Sequence, residues 1–211
     1  MFNIFKKRNS VLKSEPMAFI FIGRSGGGKG TQVELFKNEL SKKDGKKILH
    51  VESGSLLREF MKGNSYTQIR LKKIIDSGGL VPESIIISLW SQYLKDNFTG
   101  NENILFDGTP RKFREAVVLD DALKFYDFEK YYIININVSR EWATKRLLAR
   151  QRKDDMKAAI DKRMDWFDTE VMQSINYFRN NECCHFIEVN GEQTIDEVHN
   201  EIMSKVFDIR K

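Results

Sequence analysis

The 211-residue sequence is poor in the residues that mark several specialised classes of protein. It has two cysteines, Cys183 and Cys184, and adjacent cysteines are badly placed to bridge or to share a metal ion, so a reducing cytoplasm suits the chain best. The longest apolar runs, such as residues 17–22, are far shorter than the roughly 20 residues that cross a bilayer. With 41% hydrophobic and 31% charged residues, the composition excludes a disordered or membrane-embedded chain and favours one globular domain.

The excess of positive charge is small, at +5, and the basic residues form no long block. We therefore expect no nucleic-acid partner, because scattered arginines suit a small phosphorylated ligand equally well. Residues 1–16 form a basic arm that lacks the apolar core of a secretory signal. A solvated arm is the favoured interpretation, and a weak contact with a membrane surface or a partner is the alternative. We expect residues 17–211 to form a monomeric domain without a membrane contact.

Strand and helix patterns alternate from residue 17 to residue 207. Short apolar, β-branched runs predict strands, and longer segments with apolar residues three and four apart predict helices. Because such alternation implies parallel pairing through right-handed crossovers, the sequence predicts a three-layer α/β fold with five parallel strands, which binds ligands at the carboxyl ends of its strands. The predicted strands are 17–23, 47–51, 104–107, 132–138 and 186–189; the predicted helices are 29–41, a pair within 53–77, 82–98, 113–126, 139–150, a long helix from about 156 to 181, and 194–207.

Residues 23–31 read G-R-S-G-G-G-K-G-T and lie between the first predicted strand and the first predicted helix. The first seven fit the pattern G-x-x-x-x-G-K, in which glycines let successive backbone N–H groups point at phosphate oxygens. The following helix presents its positive end to the same phosphates, and Lys29 adds a full charge. A glycine-rich turn without a ligand is the alternative, but such a turn needs no lysine. The sequence therefore predicts a nucleoside triphosphate site, although Gly30 stands where the general pattern has serine or threonine.

Five segments, in this order, resemble those of adenylate kinases and related nucleoside monophosphate kinases. Together they extend over most of the chain, so the resemblance is far more specific than any one segment. It implies phosphoryl transfer from ATP to a nucleoside monophosphate with Mg²⁺, on a P-loop fold with a helical acceptor-binding insert at about 53–81 and a very short lid at about 150–156. The segments are G-G-G-K-G-T-Q at 26–32, V-E-S-G-S-L-L-R at 51–58, S-G-G-L-V-P-E at 77–83, L-F-D-G-T-P-R at 105–111, and the arginine-rich stretch 146–163.

The resemblance also implies roles for individual residues. Phosphoryl transfer requires two phosphates in line with their charge neutralised, and this explains why so many of the implied residues are cationic. Asp107 would face Mg²⁺ through water, with Thr31 as a further candidate; a helix cap is the alternative for Asp107. No zinc is expected, because the lid has no cysteine. The implied catalytic residues are Lys29, Asp107, Arg111, Arg146, Arg152 and Arg163. The implied ATP site comprises Gly26, Gly27, Gly28, Lys29, Gly30, Thr31, Arg146, Arg150 and Gln193. The implied acceptor site comprises Ser53, Arg58, Gly79, Leu80, Val81, Gly108, Thr109, Pro110, Arg111, Glu115, Arg152 and Arg163.

Four positions depart from the family pattern. Ser53 replaces a threonine and keeps its hydroxyl, whereas Ser55 replaces an aspartate and removes a carboxylate near the metal and phosphates. Thr109 replaces an aromatic residue. Glu115 stands where a glutamine reads the adenine of the acceptor, and an ionised glutamate only accepts hydrogen bonds. We expect AMP as the acceptor; another monophosphate (GMP, CMP or UMP) and a nucleotide-binding module with decayed catalysis are the alternatives.

Overall fold

A parallel sheet forms the centre of the computed structural model, which describes residues 15–77, 79–150 and 156–208. Its strands are short runs rich in isoleucine, valine and aromatic residues, which is typical of strands covered on both faces. The strands are β1 (Ala18–Gly23), β2 (Ile48–Glu52), β3 (Asn103–Asp107), β4 (Tyr131–Asn137) and β5 (Cys184–Asn190). Their order across the sheet is β2-β3-β1-β4-β5, and each neighbouring pair is parallel.

Helices connect the strands, and a π-helical turn at Phe167–Val171 joins two of the helices. Within the described ranges, no helix combines the length and the apolar character that a bilayer span requires. The helices are α1 (Lys29–Asp44), α2 (Ser53–Phe60), α3 (Tyr66–Asp76), α4 (Glu83–Asn97), α5 (Phe113–Phe125), α6 (Arg140–Arg150), α7 (Lys157–Trp166), α8 (Met172–Arg179) and α9 (Ile195–Asp208).

Most of the core lies in two apolar layers, one on each face of the sheet, and a smaller cluster packs α6 against α7. On one face, α1 and α9 pack through side chains such as Phe36 and Ile202, which are fully buried. On the other face, α4, α5 and α8 pack through Trp90, Leu119 and Phe178, which are fully or almost fully buried. Helices on both faces of five parallel strands confirm the predicted three-layer α/β fold.

The strand order determines where a ligand can bind. The chain leaves β1 through α1 toward β2 on one side, and it leaves β3 through α5 toward β4 on the other side. The two crossovers therefore lie on opposite faces, and the carboxyl ends of β1 and β3 border the crevice between them. The segments that follow these strands carry the glycine-rich loop and the residues 107–111.

The long helix predicted from about 156 to 181 differs in its middle from the structure. It consists of α7 and α8 joined by the π-helical turn, which inserts an extra residue into one turn. A pattern of residues three and four apart does not reveal such an insertion, because the apolar face resumes in the next turn. Two residues of this turn, Phe167 and Asp168, contact the glycine-rich loop.

Candidate active site

The glycine-rich loop joins β1 to α1 and is pressed closely against neighbouring backbone. At Gly23, φ is +147° and a Cβ atom would lie 2.4 Å from the carbonyl oxygen of Ile136 in β4. At Gly26, φ is +84° and a Cβ atom would lie 2.7 Å from the carbonyl oxygen of Ala143 in α6. Because only glycine fits both positions, the loop lies close to β4 and α6 and leads directly into the first turn of α1.

Arg24, the second residue of the loop, anchors it to the rest of the domain. Its Nε donates to the carbonyl oxygen of Val138 at 3.1 Å, and its Nη2 lies 2.5 Å from a carboxylate oxygen of Asp168. Its guanidinium also lies 4.1 Å from the ring centroid of Phe167. Charge-assisted hydrogen bonds of this kind are stronger than neutral ones. The sequence pattern did not indicate this role, because its second position admits any residue.

Lys29 and Asp107 lie at the base of the loop, where both residues are half-buried. The Nζ of Lys29 donates to the carbonyl oxygens of Gly23 and Arg24 at 2.7 and 2.8 Å. Burial lowers the pKa of Lys29 to about 8, even though the Asp107 carboxylate acts to raise it. Burial likewise raises the pKa of Asp107, and Lys29 opposes that shift. At neutral pH the lysine is therefore charged and is held beside the backbone that would receive a phosphate.

Two cavities open at the carboxyl end of the sheet and share part of their walls. The first has a volume of about 490 Å³ and extends from the loop along side chains of α2, α3 and α7. The second, a groove of about 800 Å³, is lined largely by glycines and charged side chains. Lys29, Arg111 and Arg163 line both cavities, together with Ser25 and Gly108. The place where the two cavities meet is therefore strongly cationic.

Most of the predicted site residues lie on these walls. Arg152 lies outside the described residues, as do the rest of the lid from 151 to 155 and the basic arm up to residue 14. The groove is lined by the predicted residues Gly26, Gly28, Lys29, Gly30, Thr31, Arg58, Asp107, Gly108, Arg111, Arg146, Arg150 and Arg163. The first cavity is lined by the predicted residues Lys29, Gly79, Leu80, Val81, Gly108, Thr109, Pro110, Arg111 and Arg163.

Gly27, Ser53 and Gln193 line neither cavity. The N–H of Gly27 donates within the loop, and the hydroxyl of Ser53 donates to the carbonyl oxygen of Asp107 at 3.3 Å. The side-chain amide of Gln193 donates to a carboxylate oxygen of Glu201 at 2.8 Å. Their roles in nucleotide binding stay predictions.

Glu115 lies behind the turn at 108–111 and is 2% exposed, so it does not line the first cavity. One carboxylate oxygen accepts a hydrogen bond from the hydroxyl of Thr109, and the other accepts one from the backbone N–H of Arg111 at 2.7 Å. Burial raises the pKa of Glu115, while these two hydrogen bonds act to lower it. The side chain thus holds the turn in place from its inner side, which differs from the predicted contact with an acceptor base.

One wall of the first cavity comes from α7 and its N-cap residue, Met156, and the sequence had indicated only one residue of this wall. Met156, Ala159, Arg163 and Trp166 all line the cavity. They follow one another at intervals of three and four residues, so they share one face of the helix. The sequence could have indicated the other three residues, because they are spaced three or four residues apart on the helix face that contains Arg163, a predicted site residue.

The oxygen donors of the groove suit a Mg²⁺ ion that stays partly hydrated and binds substrate phosphates. Asp107 offers a carboxylate and Thr31 a hydroxyl on the groove wall. Among the residues that the structure describes, no group of three or more histidines, cysteines, aspartates or glutamates is placed to hold a metal ion. The donor set therefore fits a metal that arrives with a triphosphate.

A phosphate-binding loop at the end of β1, beside a cationic junction between two cavities, defines a P-loop phosphotransferase with places for two phosphorylated substrates. The family model for adenylate kinase matches residues 21–183, more than three quarters of the chain. The chain therefore belongs to the adenylate kinase family. At the level of the family it is a nucleoside monophosphate kinase, an enzyme that uses Mg-ATP to phosphorylate a nucleoside monophosphate.

Curated relatives are similar to this chain over almost their whole length. An adenylate kinase of Leptospira biflexa is 30% identical over 191 residues, which cover 89% of this chain and 98% of the relative. Adenylate kinase 1 of a Nostoc species is 29% identical over 183 residues, which cover 87% and 95%. An adenylate kinase of Clostridium botulinum is 29% identical over 220 aligned residues, which cover 88% and 96%.

Proposed function

We propose that this protein catalyses reversible phosphoryl transfer from ATP to AMP, giving two ADP. One observation carries the proposal: the two cavities meet at Lys29, Arg111 and Arg163. A phosphoryl group that passes between two nucleotides must cross a point where the charge of both phosphate chains is neutralised. Three cations on the shared wall supply that neutralisation, and Mg²⁺ bound to the triphosphate adds to it.

The groove is the proposed site of the ATP phosphates. The backbone of Gly26, Gly28 and Thr31 lies on its floor, at the positive end of α1. Arg146 and Arg150, one turn apart on α6, also line the groove. Several cations along one groove would hold a polyphosphate in a fixed direction, and in-line transfer requires such alignment. Gln193, in the loop between β5 and α9, is the proposed contact of the ATP adenine.

The first cavity is the proposed acceptor site. Its apolar walls include Leu57 of α2 and Val81, which suit the face of a nucleobase. The acceptor phosphate would extend from the first cavity into the adjoining end of the groove. Arg58 on the groove wall and Arg111 at the junction are its proposed ligands. We also propose that α2 and α3 belong to an acceptor-binding insert at about 53–81, and that residues 150–156 form a short lid without zinc.

The placement of Glu115 removes the main argument for guanine as the acceptor base. A free glutamate in the cavity would favour guanine, which presents two donors on one edge. Both carboxylate oxygens already accept hydrogen bonds, from Thr109 and from the backbone of Arg111, and the side chain is buried behind the turn. The base would then be read by other groups on the walls of the first cavity, such as the backbone near Gly108.

We expect AMP to be phosphorylated with a kcat/KM at least about tenfold above that for GMP, CMP or UMP. Initial rates of ADP formation from Mg-ATP with each monophosphate measure this order. The variant Glu115→Gln is the matched test of the base-reading role. It should lower the rates with the four acceptors by similar factors and keep their order, because it disturbs the turn and not a base contact. A preference for GMP that disappears in Glu115→Gln would contradict both the AMP assignment and the structural role of Glu115.

We further propose that the protein acts as a monomer in the cytoplasm. Cys183 and Cys184 are both free thiols, which suits a reducing compartment. ATP and the monophosphate are the proposed partners, with neither a nucleic acid nor a membrane required.

A further inference from the structure

The carboxylate that the family pattern has at position 55 has a counterpart three residues earlier in this chain. Ser55 lacks the carboxylate, whereas Glu52 carries one at the last residue of β2. Glu52 occupies the N-cap position of α2, and residue 55 lies in the first turn of the same helix. Both positions put negative charge at the positive end of α2, so the helix accommodates the carboxylate at either one.

The side chain of Glu52 reaches across to residue 55. One carboxylate oxygen accepts a hydrogen bond from the hydroxyl of Ser55 at 2.7 Å, and the other accepts one from Nη2 of Arg58 at 2.8 Å. The same Nη2 lies 2.7 Å from the hydroxyl oxygen of Ser55, so the three side chains form a closed triangle. Although partial burial acts to raise the pKa of Glu52, the hydrogen bonds from Ser55 and Arg58 hold it below its usual value.

The triangle lies on the wall of the proposed phosphate groove. Glu52 and Arg58 both line the groove, together with Asp107. In the parallel pairing of β2 with β3, Glu52 stands directly beside Asp107. The carboxylate is therefore at the end of the sheet where the phosphates would bind, and its guanidinium partner faces the same space.

Stability does not explain why this ion pair is present. The side chain of Glu52 is 39% exposed and that of Arg58 is 66% exposed, and ion pairs at such sites contribute little to the free energy of unfolding. The contacts with Glu52 and Ser55 instead orient the guanidinium of Arg58. A guanidinium has five N–H donors in a fixed plane, so Arg58 keeps donors for a phosphate while it is bonded to Glu52 and Ser55.

We propose that Glu52 is a positioning residue that takes the place of the carboxylate missing at position 55 and holds Arg58 ready for the acceptor phosphate. The proposal rests on the proposed function, because it assigns Arg58 to the acceptor. This chain thus has a carboxylate at residue 52, where the family pattern has one at position 55.

A double-mutant cycle that moves the carboxylate back tests this inference. The variants are Glu52→Ser, Ser55→Asp and the double variant with both changes; Glu59→Ser, which removes an exposed ion pair with Lys62 on α2, is the matched control. We expect Glu52→Ser to raise the KM for AMP about tenfold with kcat changed by less than about threefold, because the change acts on acceptor binding. Ser55→Asp alone places two carboxylates beside one phosphate and should weaken binding too. The double variant should return to within about threefold of the wild type.

Calorimetric titration with AMP, in the absence of ATP and Mg²⁺, gives the dissociation constants of the same variants without turnover. We expect these constants to follow the KM values, with thermal midpoints within about 2 °C of the wild type. Losses that add up in the double variant, or an unchanged dissociation constant for Glu52→Ser, would overturn the proposal. If the wild type prefers another monophosphate, the cycle is measured with that acceptor, so failure of the AMP assignment appears in the wild type and failure of the Glu52 role appears in the cycle.

Discussion

Replacing Arg111 with alanine should lower kcat/KM for phosphoryl transfer by about 10²- to 10³-fold, the usual cost of removing one donor aimed at developing charge. Arg111 lines both cavities at their junction, and its Nε donates to the carbonyl oxygen of Gly108 at 2.8 Å, which directs the guanidinium. The side chain is exposed, so its removal should leave the free energy of unfolding almost unchanged. Coupled measurement of ADP formation gives the rate constants.

Arg114→Ala is the matched control for this prediction. Arg114 is an exposed arginine three residues further along, and it lines neither cavity. Its removal alters the net charge by the same amount, so kcat/KM should stay within about twofold of the wild type. Arg111→Lys should recover only part of the loss, because lysine keeps the charge without the planar pair of donors. Equal rates for Arg111→Ala and Arg114→Ala would contradict the placement of the transfer step at this junction.

The largest effect on stability is expected from Asp120→Ala. Asp120 is 4% exposed and joins three elements: its carboxylate accepts hydrogen bonds from Tyr131 of β4 at 2.7 Å, Tyr177 of α8 at 2.6 Å and Lys124 of α5 at 2.9 Å. Removing the carboxylate leaves the buried hydroxyl of Tyr131 and the half-buried hydroxyl of Tyr177 without their acceptor. We expect the free energy of unfolding to fall by about 3 kcal/mol. Urea unfolding followed by circular dichroism measures the change.

The effect of Asp120 should also depend on pH. Burial acts to raise the pKa of this carboxyl, but hydrogen bonds from Tyr177, Tyr131 and Lys124 outweigh it and hold the pKa below the usual value. A group whose pKa is lower in the folded state stabilises above its unfolded pKa, about 3.9, and loses that contribution as pH falls through the folded value. The difference between the wild type and Asp120→Ala should therefore be full at pH 7 and smaller near pH 3. Asp121→Ala, a change at an exposed neighbour, is the control and should leave the free energy of unfolding at pH 7 almost unchanged.

The fold was predictable because its signals are local and repeated. β1 is a continuous apolar run and β4 is strongly apolar. The intervening helices carry apolar residues on one face, so the order of strands and helices implied a parallel sheet. The exceptions depend on contacts between distant segments. β5 begins two residues earlier than predicted because Cys184 pairs with Tyr131 of β4. The π-helical turn in the long helix leaves no trace in the spacing of apolar residues.

The positions of site residues were predictable where a motif constrains the backbone. They were less predictable where a side chain can adopt more than one direction. The loop ending in Lys29 and the turn ending in Arg111 are placed as their motifs imply, on cavity walls at the carboxyl end of the sheet. Glu115 is at the expected position in the sequence, but the hydroxyl of Thr109 and the N–H of Arg111 bind it behind the turn. The proposed role of Glu52 was not predicted, because it depends on the absence of a carboxylate at Ser55.

The most direct test of the central claim starts from ADP alone. Phosphoryl transfer between two adenine nucleotides is reversible, so the protein, supplied with ADP and Mg²⁺, should form ATP and AMP. Phosphorus NMR separates these products from inorganic phosphate. We expect ATP and AMP to appear in equal amounts without inorganic phosphate, because we propose that each cavity binds one adenine nucleotide. Unchanged ADP, or release of phosphate without ATP, would contradict the proposed function.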